Sequence, residues 1–179
     1  MIWLARHGET TSNKERRFQG QLDVPLNDTG REQAHALAET VREEPLAALY
    51  TSPLVRARET AEIVGAAIGL EVRLDDRLKE VHVGDWQERL KDDLEREDPD
   101  GWAAFGRAGE EFRFPGGESL AEQQDRVIAA LVDITQRGDL PALVVCHRGV
   151  IRAALAHTHI RGLDTYHEWT VPNGELIRL

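Results

Sequence analysis

A single cysteine, Cys146, is all the chain carries, so an intrachain disulfide is impossible, cross-linked secreted scaffolds are excluded, and a reducing cytoplasm is the simplest expected compartment. Long apolar runs are absent as well. No window of roughly 18 apolar residues occurs, and the N-terminal apolar stretch follows no basic segment, so neither membrane insertion nor secretion is signalled. Positive charge is in deficit: 22 Lys and Arg stand against 32 Asp and Glu, a formal net charge of -10. Nucleic acid and anionic membranes favour basic faces, and both are therefore excluded as bulk partners. Any anionic ligand has to be held by a local positive pocket. Internal repeats and low-complexity segments are missing too.

What remains is the pattern of a globular enzyme-sized unit. The 179 residues, 41% hydrophobic, suffice for one core and are too few for two comfortable ones, so one domain over 1–179 is expected. Short apolar runs alternate with helix-periodic segments. "MIWLA" (1–5), "LAALYT" (46–51), "LEVRL" (70–74), "ALVVCH" (142–147) and "ELIRL" (175–179) read as strands. Between them Ala34, Leu37, Ala38 and Val41 share one helical face, as do Leu54, Ala57, Ala61, Val64 and Ile68, and again Leu120, Val127, Leu131 and Ile134. Ser52-Pro53 reads as an N-cap followed by proline at the first helical position, and Ser119 with Glu122 as a capping box. Gly69 and Gly138 suit helix ends. The alternation predicts an α/β fold, a three-layer α/β/α sandwich with a mostly parallel central sheet. The region from about 87 to 117 breaks the pattern. It is charged, holds Trp102, Phe105, Phe112 and Phe114, has no clear strand, and reads as a short helical excursion that could act as a lid.

In open α/β sheets ligands bind beyond the carboxyl ends of the strands. Arg6 and His7 follow the first strand, Arg56 follows the second by a few residues, and His147 ends the apolar run "ALVVCH". If the strand order lets them meet, two fixed cations and two imidazoles share one edge. Guanidinium forks match phosphate oxygens, and a neutral imidazole is a competent nucleophile toward phosphorus. Neighbouring arginines disfavour protonation of His7 and so keep it nucleophilic.

The residues around these positions carry a resemblance. "ARHGET" (5–10) with Asn13, "RFQGQLDVPLNDTG" (17–30), "TSPLVRARETA" (51–61), "RLKEVHVGDWQ" (77–87), "PGGES" (115–119) and "VVCHRGVIRA" (144–153) resemble, in order, the successive motifs of the histidine phosphatase superfamily, which includes the cofactor-dependent phosphoglycerate mutases. One RHG tripeptide is a weak signal; six ordered motifs over most of the chain are a strong one. The resemblance implies a phosphohistidine formed on His7, with Arg6, Arg56 and His147 binding the transferred phosphoryl group and Glu80 donating the proton. It also implies phosphate contact from Asn13, and a loop at Gln19 and Gly20 that closes over the site. The expected activity is metal-independent hydrolysis of a small phosphomonoester, with no cofactor and no metal. Bacterial broad-specificity and α-ribazole phosphate phosphatases are the members it resembles most, and phosphoglycerate mutase and phosphoprotein phosphatase are the alternatives within the family. Oligomeric state is left open.

Two departures stand out. The family often reads HGG where this chain has His147-Arg148-Gly149, and WEG where it has Trp86-Gln87-Glu88. Arg148 either adds a substrate contact or faces solvent, and charged side chains usually face water. Other readings compete. His82 is expected to be structural, and His157, His159 and His167 lack the spacing of a metal site. Cys146 and Arg152 are spaced C-x5-R on a strand-to-helix turn, as in cysteine-dependent phosphatases, though alanine follows Arg152 where those enzymes place serine or threonine. A non-catalytic phospho-ligand module would be expected to have lost His7, Glu80 or an arginine, and none is lost.

Overall fold

The computed structural model describes all residues 1–179. Five strands form one sheet: β1 (Ile2–Arg6), β2 (Ala48–Thr51), β3 (Val72–Leu74), β4 (Ala142–Cys146) and β5 (Leu176–Arg178), in the order β3-β2-β4-β1-β5. The first four run parallel, with β1 registered Ile2 to Ala142 through Arg6 to Cys146 on β4; β5 pairs antiparallel with β1. Every residue of β1, β2 and β4 is buried, which is why these strands are continuous apolar runs rather than alternating ones. All five strands predicted from the sequence are present, with ends that differ by one or two residues: β1 is shifted by one to include Arg6, and the others are trimmed.

Seven helices accompany the sheet: α1 (Thr11–Lys14), α2 (Asp28–Val41), α3 (Val55–Ile68), α4 (Lys91–Glu97), α5 (Pro99–Arg107), α6 (Leu120–Gln136) and α7 (Arg148–Thr158). Residues alternate across the pleat to meet them. Trp3, Ala5, Leu49, Leu143 and Val145 pack against α2 and α3, whereas Ile2, Leu4, Tyr50, Val144 and Cys146 pack against α6 and α7. This is the expected three-layer sandwich. Adjacent strands β1 and β4 send their outgoing helices, α2 and α7, to opposite faces, so a crevice opens between their carboxyl ends.

The helix boundaries follow local chemistry, with one correction. Asn27 caps α2, the Ser119–Glu122 capping box closes reciprocally at α6, and Gly69 ends α3 in the left-handed region. Ser52-Pro53 does not begin α3. The helix starts at Val55, and the Ser52 hydroxyl accepts instead from the Leu54 amide at 3.2 Å, completing a turn that carries the chain from strand to helix.

The 87–117 region is helical, as expected, through α4 and α5. A third apolar cluster joins it to the body, with Phe18, Trp86, Phe112 and Phe114 buried and Trp102 and Phe105 packed against them. Edge-to-face contacts such as Trp86 with Phe114, centroids 5.4 Å apart, hold this cluster over the carboxyl end of the sheet. The Trp-Glu-Gly departure is local. Glu88 stands where the family often has glycine and adopts φ 63°, a conformation that favours a residue without Cβ. Glu88→Gly should therefore stabilise the fold by up to about 1 kcal/mol, seen as a raised thermal midpoint; an unchanged or lowered midpoint would refute this reading.

Candidate active site

The crevice between β1 and β4 is lined by Arg6, His7, Asn13, Gln19, Gly20, Arg56, Glu80 and Arg148, together with Arg17, Lys91 and Arg152. Eight of the nine candidate residues thus meet at one cavity. The ninth, His147, lies behind it, fully buried, its ring centroid 5.2 Å from that of His7. The free space is about 60 Å³, room for on the order of four or five water-sized groups, the scale of a phosphoryl group with its oxygens.

His7 follows β1 directly, and its amide continues the ladder by donating to the Cys146 carbonyl at 3.0 Å. Its ring tautomer is fixed by its neighbours. Nδ1 lies 2.6 Å from the Gly8 carbonyl, which can only accept, so Nδ1 carries the proton. Nε2 receives the Arg56 Nε–H at 3.3 Å, so its lone pair faces the cleft's cation. Burial first, then Arg56 and Arg6, hold His7 far below the usual histidine range, and burial with Arg56 does the same to His147. Both imidazoles are neutral at physiological pH.

The arginines are held by carbonyl oxygens. Arg56 is 1% exposed and donates to Gly20 O at 2.8 Å and Leu22 O at 2.7 Å, tying the 17–23 loop down onto α3. Arg6 donates through one terminal nitrogen to Val171 O at 2.7 Å, and its buried Nε has no partner in the protein. Both ring nitrogens of His147 are likewise buried and unpartnered. Unpaired buried donors are costly, and two of them, Arg6 Nε and the single N–H of the neutral His147 ring, beside one small cavity point to a ligand that supplies acceptors.

Asn13 and Gln19 each commit one end of the side-chain amide to the scaffold. Asn13 Oδ1 accepts from Thr10 N at 3.2 Å and Asn173 Nδ2 at 3.1 Å, and Gln19 Oε1 accepts from the Thr10 hydroxyl at 2.9 Å. Their NH₂ groups are left to donate. Gly8 lets this loop press against the start of α2, since a Cβ there would lie 2.1 Å from the Gly30 carbonyl oxygen.

Glu80 is gripped by three donors: Val81 N at 2.9 Å and Gln123 Nε2 at 3.2 Å on Oε1, and Gly149 N at 3.1 Å on Oε2. Gln123 is in turn held by the Tyr166 hydroxyl at 3.1 Å. A Cβ on Gly149 would sit 2.2 Å from Glu80 Oε1 and 2.8 Å from both the Gln123 amide nitrogen and the Tyr166 hydroxyl, so glycine at this first turn of α7 is a condition of the arrangement. Gln123, Tyr166 and Asn173 were not singled out by the sequence reading. Gln123 occupies an inward position of an amphipathic helix, where a glutamine among Leu120, Val127 and Ala130 is the one available signal.

The rival residues fall elsewhere. Cys146 points into the core shared with Val150 and Ile151, burial pushes its thiol upward, and it does not line the cleft. His82 is exposed, with Nδ1 accepting from Gly84 N. No group of three or more His, Cys, Asp or Glu side chains is placed to hold a metal. Arg148, partly buried, lines the cavity.

The profile of the histidine phosphatase superfamily (branch 1) matches residues 2–179. The chain belongs to the histidine phosphatase superfamily. Among curated relatives, phosphoglycerate mutase-like protein 4 of Arabidopsis thaliana is 43% identical over 157 residues, 85% of this chain and 68% of the relative. A probable phosphoglycerate mutase GpmB of Salmonella choleraesuis is 38% identical over 170 residues, 93% and 77% of the two chains. Among solved structures, Bacillus stearothermophilus YhfR superposes with a TM-score of 0.90 at 34% identity, covering 98% of this chain and 88% of that one. A mycobacterial glucosyl-3-phosphoglycerate phosphatase solved with VO₃ gives 0.86 at 31%, covering 98% and 90%. No helix is long and apolar enough to cross a membrane.

The two neutral histidines set a pH dependence of stability. Their folded-state pKa values lie below the unfolded value near 6.5, so the unfolded chain binds more protons at acid pH. Their contribution is complete above about pH 6.5 and is lost as pH falls below it, at up to about 1.4 kcal/mol per pH unit for each imidazole. Thermal unfolding from pH 7.5 to 5 should show a falling midpoint, with a shallower slope in His147→Gln. Identical slopes in the two proteins would exclude this origin.

Proposed function

We propose that this histidine phosphatase hydrolyses a small phosphomonoester through a phosphohistidine on His7, without a metal. The observation that carries the reading is the His7 tautomer: Nε2 holds its lone pair at the edge of a phosphoryl-sized cleft walled by Arg6 and Arg56 and sharing its lining with Glu80.

In the first step His7 Nε2 attacks phosphorus, the bond from phosphorus to the ester oxygen breaks, and Glu80 gives its proton to the leaving oxygen. Arg6, Arg56 and His147 hold the phosphoryl oxygens, joined by the free NH₂ groups of Asn13 and Gln19 and by the loop at Gly20. Arg56 Nε, which meets Nε2 in the free enzyme, transfers to a phosphoryl oxygen as the new bond forms. In the second step Glu80 takes a proton from water, the oxygen attacks phosphorus, and the bond to Nε2 breaks, returning neutral His7. Charge built up on the equatorial oxygens is met by donors already in position.

Phosphoglycerate mutase is the second reading, favoured by the names of the two curated relatives. A mutase has to shield its phosphohistidine from water. The segment over this cleft offers two short helices of seven and nine residues, which supports hydrolysis. The free thiol of Cys146 suits a reducing compartment, the cytoplasm in this proposal.

Rapid quench of the wild-type enzyme with a ³²P-labelled phosphomonoester should trap acid-labile phosphate that is absent from His7→Ala, while Cys146→Ala remains active. Loss of activity in Cys146→Ala with retention in His7→Ala would overturn the assignment. Release of inorganic phosphate rather than of an isomeric phosphoester from 3-phosphoglycerate separates phosphatase from mutase. Arg6→Ala should lower the rate by about 10² to 10³, the scale of one preorganised donor; a loss under about tenfold would remove Arg6 from the phosphate clamp.

A further inference from the structure

Side chains of one helix, α6, mount Glu80 from behind the cleft. Arg126 donates to the carbonyls of Arg77 and Lys79, each at 2.6 Å, and of Glu80 at 3.2 Å, and so fixes the main chain that carries the carboxyl. One turn earlier, Gln123 donates to Glu80 Oε1 at 3.2 Å. Gln123 is fully buried and does not line the cavity, so it is placed to act through Glu80 and not on a ligand. Burying an amide costs free energy unless both of its ends are bonded. Gln123 stands among Leu120, Val127 and Ala130, where an apolar side chain would meet no such cost.

The direction of its amide is set from both sides. An ionised carboxylate only accepts, so the Gln123 nitrogen faces Glu80 and its oxygen faces the Tyr166 hydroxyl at 3.1 Å. Tyr166 is buried, and burial followed by the nearby Glu80 charge pushes its hydroxyl up, so it keeps its proton and donates to Gln123. Within the carboxyl group the acceptor capacity is used unequally. Oε1 takes Val81 N at 2.9 Å and Gln123 Nε2, which fills both of its lone pairs, whereas Oε2 takes Gly149 N alone, at 3.1 Å, and keeps one lone pair open. A proton on that open lone pair leaves all three N–H bonds intact.

Resting on the phosphatase reading above, we infer that Gln123, oriented by Tyr166, is a positioning residue that closes Oε1 and confines the transferred proton of Glu80 to Oε2. The proton passes from Oε2 to the ester oxygen as the bond from that oxygen to phosphorus breaks. In the second step a proton from water returns to the same lone pair, and the mounting of Glu80 stays unchanged throughout. With a side chain that cannot donate in place of Gln123, Oε1 regains a lone pair turned toward the vacated amide site behind the cavity. Part of the enzyme then carries its proton where the leaving oxygen cannot reach it.

The test uses two phosphomonoesters that differ in their need for that proton. p-Nitrophenolate leaves unprotonated, whereas the alkoxide of glycerol 2-phosphate has to be protonated as it departs. The quantity read is the ratio of kcat/KM for p-nitrophenyl phosphate to that for glycerol 2-phosphate, in which the fraction of folded enzyme cancels. Gln123→Met should raise the ratio about ten- to hundred-fold, part of the roughly 10² to 10⁴ that general acid catalysis supplies. Tyr166→Phe, which removes a single hydroxyl and decides the matter if Gln123→Met does not fold, should raise it about three- to tenfold, the scale of one neutral hydrogen bond. Glu80→Gln should raise it further, and Gln123→Met added to Glu80→Gln should change it by less than about threefold, because the effect of Gln123 passes through Glu80. An unchanged ratio in Gln123→Met or in Tyr166→Phe, or a full further rise in the double variant, would overturn the inference and leave the phosphatase reading intact. Turnover of neither ester by the wild type, or undiminished turnover by His7→Ala, would overturn the phosphatase reading and the inference with it.

Discussion

Arg56 is 1% exposed and meets no carboxylate; its donors go to the carbonyls of Gly20 and Leu22 and to His7 Nε2. A guanidinium cannot shed its proton easily, so placing it in the interior costs several kcal/mol unless every N–H finds an acceptor. The rest of the site follows from that requirement. The 17–23 loop is drawn inward to supply carbonyls, which brings Gln19 and Gly20 to the cavity. Thr60, one turn along α3, accepts from Gly8 N at 3.1 Å and donates to the Arg56 carbonyl, locking the loop after β1 to the same helix. The histidine ring is left with one tautomer. A single buried cation thus orients the His7 ring, helps hold it neutral and positions part of the wall around it.

Much of this was legible from the sequence for a physical reason: β1, β2 and β4 are buried on both faces, and continuous apolar runs between amphipathic helices leave few alternative folds. Arg6, His7 and Arg56 could be assigned to one edge because strand ends in a parallel sheet point the same way. The start of α3 was misplaced by two residues, since Ser52-Pro53 satisfies the chemistry of a cap and of a turn equally well, and tertiary placement of Ser52 decided for the turn. Glu80 rested on the resemblance alone. It follows a short 3₁₀ turn, Asp76–Leu78, and no periodicity marks it.

What escaped the sequence shares one property. Gln123, Tyr166 and Asn173 lie outside the recognised motifs, and each acts by touching a residue distant in the chain. Tyr166 reaches Glu80 only through Gln123, across 43 positions. Asn173 donates to both the His7 carbonyl and Asn13 from the loop before β5. Spacing arguments see residues that recur on one face of one element; they are blind to a glutamine that matters because of the glycine and the tyrosine folded around it.

The sheet order has a further bearing on how such an enzyme changes over time. β1 is flanked on both sides, by β4 and by β5, so the strand that presents Arg6 and His7 is among the last parts of the molecule to open in local fluctuations. The two short helices that hold Lys91, Trp102 and Phe105 join the body through side-chain packing and a few loop bonds. Mutations that reshape those helices are therefore felt weakly by the strand beneath. The residues at the end of β1 and those of the two short helices thus sit in parts of the chain with separate stabilities, and the second can change while the first stays fixed.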